Sequence, residues 1–345
     1  KYGLQLYVNR VMIMDRCEEL LPPYLRFVRG VVDSPDLTLN VSRELLQQDR
    51  RVAQIRKRVV KKLLDSFTDL LDEDRDKYLT FWNSFGAALK EGVPHDPDNK
   101  EKLTSLLMFQ STHDAEAFTT LDEYVERMKE GQEAIYYIAG ESMEVVSKSP
   151  HLEAFRDKGY EVLYMTDPVD EVVGAALTEF KEKKFISVGK GSADLGTEEE
   201  RKSAEEEREE KQKAHTSLFE ALQSSLDEHI KEVRLSNRLT TSAVCLVGEE
   251  NDLSPQLLRM LESAGQAPPK PKRILELNPK HPVLGKLQEI HDGASDDPRI
   301  GEYAQLLHSQ ALLAEGSPIP DPAGFANLVA NLMVQAVPAD SSSEG

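Results

Sequence analysis

The sequence predicts a multidomain protein of the α/β and α+β classes. Residues 4–14 and 133–165 contain short stretches rich in β-forming residues, which are typical of strands. Residues 50–70 and 300–333 carry apolar residues at spacings of three and four, which are typical of helices. A highly charged run at 198–213 separates two mixed regions. A length of 345 residues is sufficient for two or three domains.

We expect five segments along the chain. The first, 1–110, is rich in helix and ends in a helical connector, and the second, 111–188, is a small α/β sandwich. A charged linker at 189–213 precedes an α+β domain at 214–338 that ends in dimerising helices. Residues 339–345 form a disordered tail.

The first segment begins with strands and continues into a long helix. β-forming residues alternate over 4–14, and Ser34-Pro35-Asp36 is a typical turn. The long helix is predicted from apolar residues that share one face: Val52, Ile55, Val59, Leu63, Phe67 and Leu70. Further helices are predicted at Tyr78–Lys90 and Lys100–Gln110.

The opposite face of the long helix is basic. Its cationic residues are Arg50, Arg51, Arg56, Lys57, Arg58, Lys61 and Lys62. A run of this kind is either a solvated helix surface or a docking face for an acidic domain or client. The residues alone favour the solvated surface.

The second segment contains a strand, a helix and another strand. Glu133–Ala139 and Tyr160–Met165 are rich in β-formers, and Ser149–Lys158 begins with Ser-Pro, a typical helix N-terminus. This order implies parallel strands joined by a right-handed crossover. A helix is predicted to follow at Val169–Phe180.

The charged stretch begins after Gly189-Lys190-Gly191-Ser192, and most residues from Glu198 to Lys213 are ionisable. A stretch of this composition is either a mobile linker or the solvated start of a helix. We place a domain boundary here.

The last domain is predicted to alternate helices and strands. One helix is predicted from Leu218, Leu222, Leu226, Ile230 and Val233. Strands are predicted at Ala243–Val247 and Arg273–Leu277. Between them, Ser254-Pro255 begins a short apolar helix that Gly265 ends.

Two apolar helices end this domain. The first carries a stripe of five residues, Ile300, Tyr303, Leu307, Ala311 and Ala314, and a second stripe of Leu306 and Leu313. The second helix, with Asp321 as its cap and Pro322 at its first position, is apolar around more than half its circumference through Phe325, Leu328, Val329, Leu332 and Met333. Such helices need cover on more than one side. Pairing with a symmetry mate in a four-helix bundle supplies it, and packing on the same domain is the alternative.

Composition narrows the class of protein. The net charge of -19 argues against a general nucleic-acid binder, and no apolar run approaches the roughly 20 residues that span a bilayer. Cys17 and Cys245 are far apart, which argues against a disulfide framework or a cysteine zinc site and favours a cytoplasmic protein. Because the first residues resemble the middle of a strand, we expect the chain to be part of a longer protein.

Motifs of enzymes are missing from the sequence. It contains no G-x-x-x-x-G-K-[ST], H-E-x-x-H or G-x-S-x-G pattern, and its histidines, including His151 and His308, are scattered. Arg43 is the exception, since it lies at a predicted helix entry with Gln47 four residues later. A guanidinium there suits phosphate binding. Pairing with Asp49 or with the turn at Asp36 is the alternative, which the residues alone favour.

The segment Val31–Gln48, which includes Asn40 and Arg43, closely resembles the middle domain of the heat-shock protein 90 chaperone family, bacterial HtpG type. Matching segments cover essentially the whole chain: Leu6-Tyr7-Val8, Met12–Asp15, Tyr24–Gly30, Phe81-Trp82, Tyr124–Gln132, Ile135–Ile138, Ser149–Glu153, Leu275–Pro279 and Ala311–Ala314. The resemblance implies a chaperone composed of the middle and C-terminal domains of that family.

The resemblance implies a nucleotide role for Arg43. In the family, the arginine at this position reaches the γ-phosphate of ATP held by an N-terminal domain, so Asn40 and Gln47 are expected to shape the Arg43 loop. ATP and magnesium then belong to the whole parent protein, and this chain alone binds neither and is not an ATPase. The alternative is a passive dimeric adaptor or scaffold with no link to a nucleotide.

The resemblance also implies binding surfaces for polypeptides. Client proteins are expected to contact a short amphipathic helix through Leu253, Leu257, Met260 and Leu261. A homodimer is expected to form through the last helices, with Leu306, Leu313, Phe325, Leu328, Val329 and Leu332 as the contact residues. Val172 stands where some bacterial members carry an aromatic client contact, and the tail lacks the acidic motif of the eukaryotic cytosolic branch.

Overall fold

The computed structural model describes residues 3–35, 37, 49–193, 195–266 and 268–336. In chain order its strands are β1 (Leu4–Val8), β2 (Val11–Cys17), β3 (Val31–Asp33), β4 (Met108–Ser111), β5 (Thr119–Thr120), β6 (Ala134–Ala139), β7 (Val162–Met165), β8 (Glu179–Phe180), β9 (Lys183–Ser187), β10 (Ile230–Leu235), β11 (Val244–Val247) and β12 (Arg273–Leu277).

The α-helices are α1 (Arg50–Glu73), α2 (Arg75–Lys90), α3 (Gly92–His95), α4 (Lys100–Ser105), α5 (Leu121–Arg127), α6 (Met143–Val146), α7 (Glu153–Lys158), α8 (Asp170–Ala176), α9 (Glu198–Ala214), α10 (Thr216–Ser225), α11 (Pro255–Ser263), α12 (Pro282–Gly293), α13 (Pro298–Ala314) and α14 (Pro322–Ala336). This mixture of helices and strands confirms the predicted multidomain α/β and α+β class.

The chain divides into two compact units, each described here by itself. The first contains the described residues within Lys1–Gln110, Glu116–Arg127 and Asp167–Phe185. The second contains those within Ser111–Ala115, Met128–Thr166 and Ile186–Gly345.

The strands predicted at 4–14 are present in the first unit. β1 pairs antiparallel with β2 and parallel with β3. Asn9 and Arg10, with φ of 51° and 67°, form the turn between β1 and β2. Positive φ at both central residues is the geometry of a type I′ hairpin, which matches the twist of the strands.

The long helix is confirmed as α1. Asp49 caps it by accepting a hydrogen bond from the Arg51 N–H, at 2.7 Å. The helix packs on α2 through Phe67 and Phe81, whose rings stack at a centroid distance of 4.7 Å. Phe27, in the segment before β3, stacks on Phe85 of α2 at 4.5 Å.

Two helices of the first unit are shorter than predicted. The helix expected at Lys100–Gln110 ends at Ser105, and strand β4 follows and pairs antiparallel with β5. The helix expected at Val169–Phe180 ends at Ala176. Glu179 and Phe180 instead form β8, which pairs with β9.

The turn between β8 and β9 explains the second error. Lys181 and Glu182 have φ of 46° and 63°, so this is another hairpin with two left-handed residues. Such turns are usually recognised in a sequence by Asn-Gly or Asp-Gly, and Lys-Glu carries no such signal.

The strand–helix–strand unit is confirmed in the second unit. β6 and β7 are parallel, with Tyr136 opposite Val162 and Ala139 opposite Met165. Between them Ser149 caps a short 3₁₀ turn, α7 follows, and Gly159 ends α7 with a φ of 66°. Apolar residues of both strands and of α7 form the core.

The C-terminal part of this unit is a sheet with the strand order β10–β12–β11, in which β10 is parallel and β11 antiparallel to β12. Helices α10, α12 and α13 contribute to one core with these strands. The strands predicted at Ala243–Val247 and Arg273–Leu277 are therefore confirmed.

The single helix predicted from Leu218 to Val233 is wrong beyond Ser225, where α10 ends. Ile230–Leu235 is strand β10, in which Ile230, Val233 and Leu235 are buried. Their spacing from Leu226 matched a helix by coincidence. The parallel pairing with β12, far along the chain, stabilises the strand instead.

Candidate functional site

The predicted nucleotide site cannot be placed. Arg43, Asn40 and Gln47 lie outside the described residues, as does Asp36, the alternative partner of Arg43. Asp49 is described and accepts the Arg51 N–H as the cap of α1. The roles of Arg43, Asn40 and Gln47 therefore stay predictions.

The basic face of α1 follows this segment. All seven of its cationic residues are exposed, whereas Val52, Val60 and Leu64 are buried. Arg56, four residues from both Val52 and Val60, lies on the side of those valines and not opposite to them. The helix carries no acidic residue in its first turn. Arg50 and Arg51 lie in that turn, where the helix dipole is unfavourable for cations. Helix stability alone therefore does not account for these charges.

A cavity of about 620 Å³ lies beside this face, within the first unit. Arg56 and Lys57 line it on one side and Glu91, Asp96 and Asp98 on the other. The buried Tyr24 also lines it and donates a hydrogen bond to Asp96 Oδ2 at 2.6 Å. Burial, followed by this hydrogen bond, raises the pKa of Tyr24.

The predicted client helix is α11. Ser254 caps it by accepting the Leu257 N–H at 3.0 Å, and Pro255 occupies its first position. All residues of α11 are described and none of them is buried. Leu253 and Met260 are both 39% exposed, and Leu257 and Leu261 are half-buried. The structure thus places the four predicted residues on or beside one uncovered helix.

Helix α13 has one covered face and one uncovered face. Ile300, Ala304, Leu307 and Ala311 are buried in the core of the second unit. Leu306 is half-buried and Leu313 is 52% exposed. The first predicted stripe therefore packs on its own domain, while the second stripe remains partly open.

Helix α14 is less covered. Its residues are all described, and none of them is buried. Phe325, Leu328, Val329 and Leu332 are half-buried, whereas Met333 and Val334 are 65% and 76% exposed. A helix this apolar with so little cover is typical of a surface that binds another polypeptide.

Sequence reasoning missed a buried ion network in the first unit. Lys90, at the end of α2, lies 2.7 Å from a carboxylate oxygen of both Asp167 and Asp170, and Lys90 and Asp170 are buried. Burial raises the pKa of Asp170, against the lowering effect of Lys90. The network holds the start of α8, on which Val172 is 41% exposed. Nothing in the sequence from Asp167 to Asp170 indicates that these carboxylates pair with Lys90, which lies 77 residues before Asp167.

A second missed network surrounds Glu276 in β12. The carboxylate of Glu276 is buried and accepts hydrogen bonds from Arg234, Arg238 and Ser236. Glu276 lies between Leu275 and Leu277, and the alternation of residue types in the strand is typical of an outward-facing glutamate.

The pKa shifts of His151 and of the two cysteines are those of buried groups and not of activated catalytic ones. Burial, followed by the charge of Arg238, lowers the pKa of His151 to about 3. Burial raises the pKa of Cys17 to about 12 and that of Cys245 well above its usual value. Within the described part of the chain, no three His, Cys, Asp or Glu residues could hold a metal ion.

None of the helices in the described ranges has the length and apolar character needed to cross a membrane.

The fold is that of a multidomain α/β and α+β protein with apolar helices that are uncovered in this chain. A sequence model of the family "Hsp90 protein" matches residues 1–345. The chain therefore belongs to the Hsp90 family of chaperones.

Bacterial relatives agree with this assignment. The chain is 52% identical to "Chaperone protein HtpG" of Rhodococcus jostii (strain RHA1) over 337 residues, which cover 98% of this chain and 52% of the relative. It is also 52% identical to "Chaperone protein HtpG" of Geobacter sulfurreducens (strain ATCC 51573 / DSM 12127 / PCA) over 335 residues, 97% of this chain and 52% of the relative. The chain spans about half the length of the curated relatives it matches.

Proposed function

We propose that this chain is the part of an HtpG-type chaperone that binds client proteins, forms the homodimer and supplies Arg43 to ATP hydrolysis. The observation that carries the proposal is the uncovered apolar surface of α11 and α14 in a chain that matches HtpG over nearly its whole length. Apolar side chains left open on ordered helices bind unfolded segments or a second copy of the chain.

The two apolar helices have different roles in this proposal. Helix α11 binds unfolded or partly folded clients through Leu253, Leu257, Met260 and Leu261, because methionine and leucine side chains adapt to many partners. Helices α13 and α14 pair with the same helices of a second copy. The proposal also keeps the division of the chain into five segments, with boundaries after residues 110, 188, 213 and 338.

Arg43 acts on a nucleotide bound by an N-terminal domain of the same protein. Its guanidinium stabilises the charge that develops on the γ-phosphate during transfer, and Asn40 and Gln47 hold its loop. ATP with magnesium is bound by that domain and not by this chain. The polypeptide is proposed to work in the cytoplasm without nucleic-acid or membrane partners, in keeping with its net charge of -19 and its two free cysteines.

The nucleotide role is tested by Arg43→Ala in the whole protein. We expect the rate of ATP hydrolysis to fall about 100-fold, because one electrostatic contact at a phosphoryl-transfer site contributes at least this much. Steady-state phosphate release measures the rate. Arg16→Ala is the matched control and should leave the rate unchanged, since Arg16 is an exposed arginine of β2 outside the basic face of α1.

An unchanged rate in Arg43→Ala would overturn the nucleotide role. The alternative, a passive dimeric adaptor, would then be favoured if the same variant still bound an unfolded protein. Loss of hydrolysis with retained client binding supports the proposal.

A further inference from the structure

None of the residues of α11, all of which are described, is buried, and a polar side chain of the helix contacts other segments. Arg259 lies in the middle of this helix. Its Nη2 atom is 2.8 Å from Glu141 Oε1, in the loop after β6, and its Nη1 atom donates a hydrogen bond to Ser317 Oγ at 3.3 Å. The guanidinium thus joins α11 to two segments of the second unit that are distant in sequence.

The contacts continue from Ser317 into the sheet. Ser317 Oγ donates to Glu315 Oε1 at 2.7 Å. Arg273 in β12 donates two hydrogen bonds to the Glu315 carboxylate, at 3.2 and 3.0 Å, and one to the main-chain oxygen of Leu246 in β11, at 3.0 Å. Glu315, Arg273 and Ser317 are largely buried, so solvent screens these contacts little.

Arg259 lies on the side of α11 that is turned away from the apolar face. At 100° per residue, Leu257, Met260 and Leu261 fall within about 100° of one another, and Arg259 lies about 150° from their centre. The arginine can therefore hold the helix while the apolar face stays open.

We propose that Arg259 is a positioning residue that fixes α11 against Glu141 and the turn at 315–317, and so holds its apolar face ready for an unfolded segment. This inference rests on the client-binding role proposed for α11. The turn at 315–317 follows α13 directly and leads towards α14. The same contacts therefore join the client helix to the segment between the two proposed dimerisation helices.

The test combines a mutant cycle with two measurements on the 345-residue chain. Arg259→Gln, Glu141→Gln, the double variant and the charge exchange E141R/R259E are compared. Hydrogen exchange of the amides of 255–263 reports the order of α11. Fluorescence anisotropy with reduced, carboxymethylated α-lactalbumin as the probe reports client binding.

Arg259→Gln is expected to speed exchange in α11 about 5-fold and to weaken probe binding by a similar factor, since it loses contacts with both Glu141 and Ser317. Glu141→Gln is expected to change both signals about 3-fold, because Glu141 is half exposed. The double variant is expected to be no worse than Arg259→Gln alone. The charge exchange is expected to restore a large part of both the slow hydrogen exchange of α11 and the probe binding. If Arg259 only filled space, exchanging the two charges would restore neither.

Lys270→Gln is the matched control. It removes the ion pair between Lys270 and Glu262 of α11, at 3.0 Å. Because Lys270 is exposed, neither the hydrogen exchange of α11 nor probe binding is expected to change. Unchanged exchange in Arg259→Gln, or additive effects of the two single variants, refutes the positioning role.

A further variant separates this role from the proposed function. If L257S/M260S binds the probe as well as the unaltered chain, α11 is not the client surface. The exchange data then still decide whether Arg259 positions the helix.

Discussion

Glu276 lies in β12 with its carboxylate fully buried. Arg238 Nε and Arg234 Nη2 donate to it at 2.9 and 2.7 Å, and Ser236 Oγ donates at 2.8 Å. Burial by itself raises the pKa of Glu276, but the two arginines and the hydrogen bonds outweigh burial, and the pKa is lowered. The carboxylate therefore stays charged inside the domain, where only a paired charge is stable.

Glu276→Gln is expected to lower the free energy of unfolding by about 3–5 kcal/mol, because Arg238 is left buried without its counter-charge. Urea denaturation at pH 7 measures the loss. The lowered pKa of Glu276 means that its contribution is present above the pKa of an ordinary glutamate. The contribution is lost as the pH falls through the lowered pKa, so the difference between the two proteins should shrink in acid.

Glu249→Gln is the control for Glu276→Gln. It breaks an exposed ion pair with Lys231 and is expected to cost less than about 1 kcal/mol. Equal losses in the two variants would show that the buried network does not stabilise the domain.

The burial of Glu276 was not predictable from its neighbours. Leu275 and Leu277 lie in the core that α10, α12 and α13 cover. Ile274 belongs to a second buried cluster with Leu239, Cys245 and Val247. The strand is covered on both faces, so Glu276 is inside although it alternates with leucines. Arg43 is the reverse case. Its role was predicted from the family resemblance, but it lies outside the described residues, so the role stays a prediction.

At the scale of elements, α9 is a helix that local interactions stabilise. None of its residues, all of which are described, is buried. Thr197 and Glu200 form a capping box, in which Thr197 Oγ1 accepts the Glu200 N–H at 3.3 Å and Glu200 Oε2 accepts the Thr197 N–H at 3.0 Å. Pairs of Glu198 with Lys202 and Glu207 with Lys211 lie four residues apart. The charged run was interpreted either as a mobile linker or as the solvated start of a helix, and in the structure it is a solvated helix.

Thr197→Ala is expected to weaken the first turn of α9 by about 1 kcal/mol, because the amide of Glu200 loses its acceptor. Hydrogen exchange of the amides at 199–201 should rise about 5-fold. The midpoint of global denaturation should stay the same, since α9 covers no core. Ser203→Ala, an exposed change within the helix, should not speed exchange, and a global loss of stability in Thr197→Ala would contradict this view of α9.

At the scale of the whole molecule, α13 and α14 expose apolar side chains. Leu313, Met333 and Val334 are each more than half exposed, at 52%, 65% and 76%. Burial of such side chains contributes about 1.5–3 kcal/mol each. A second copy of the chain supplies that cover in the proposed homodimer.

L328D/L332D is expected to convert the dimer to a monomer, because two carboxylates cannot be buried unpaired between apolar helices. Sedimentation equilibrium should show the mass fall from twice 38.7 kDa to 38.7 kDa. Asn327→Asp adds a charge at an exposed position of the same helix and should leave the dimer intact. A dimer that persists in L328D/L332D refutes the assignment of α14 to the interface.

Local patterns were sufficient for the fold class and for α1, α11, α13 and α14, because apolar spacing and caps are readable within a few residues. The family was recognised from matching segments spread over essentially the whole chain. The hairpin at Lys181-Glu182 is local, but its residue types carry no turn signal. The strand nature of Ile230–Leu235 and the burial of Glu276 depend on partners distant in the chain. The contacts of Arg259 and the uncovered state of α11 and α14 depend on the same kind of partner. Exposure of a side chain is a property of everything packed around it, and this is why a pattern of leucines predicts a helix but not which face of the helix remains open.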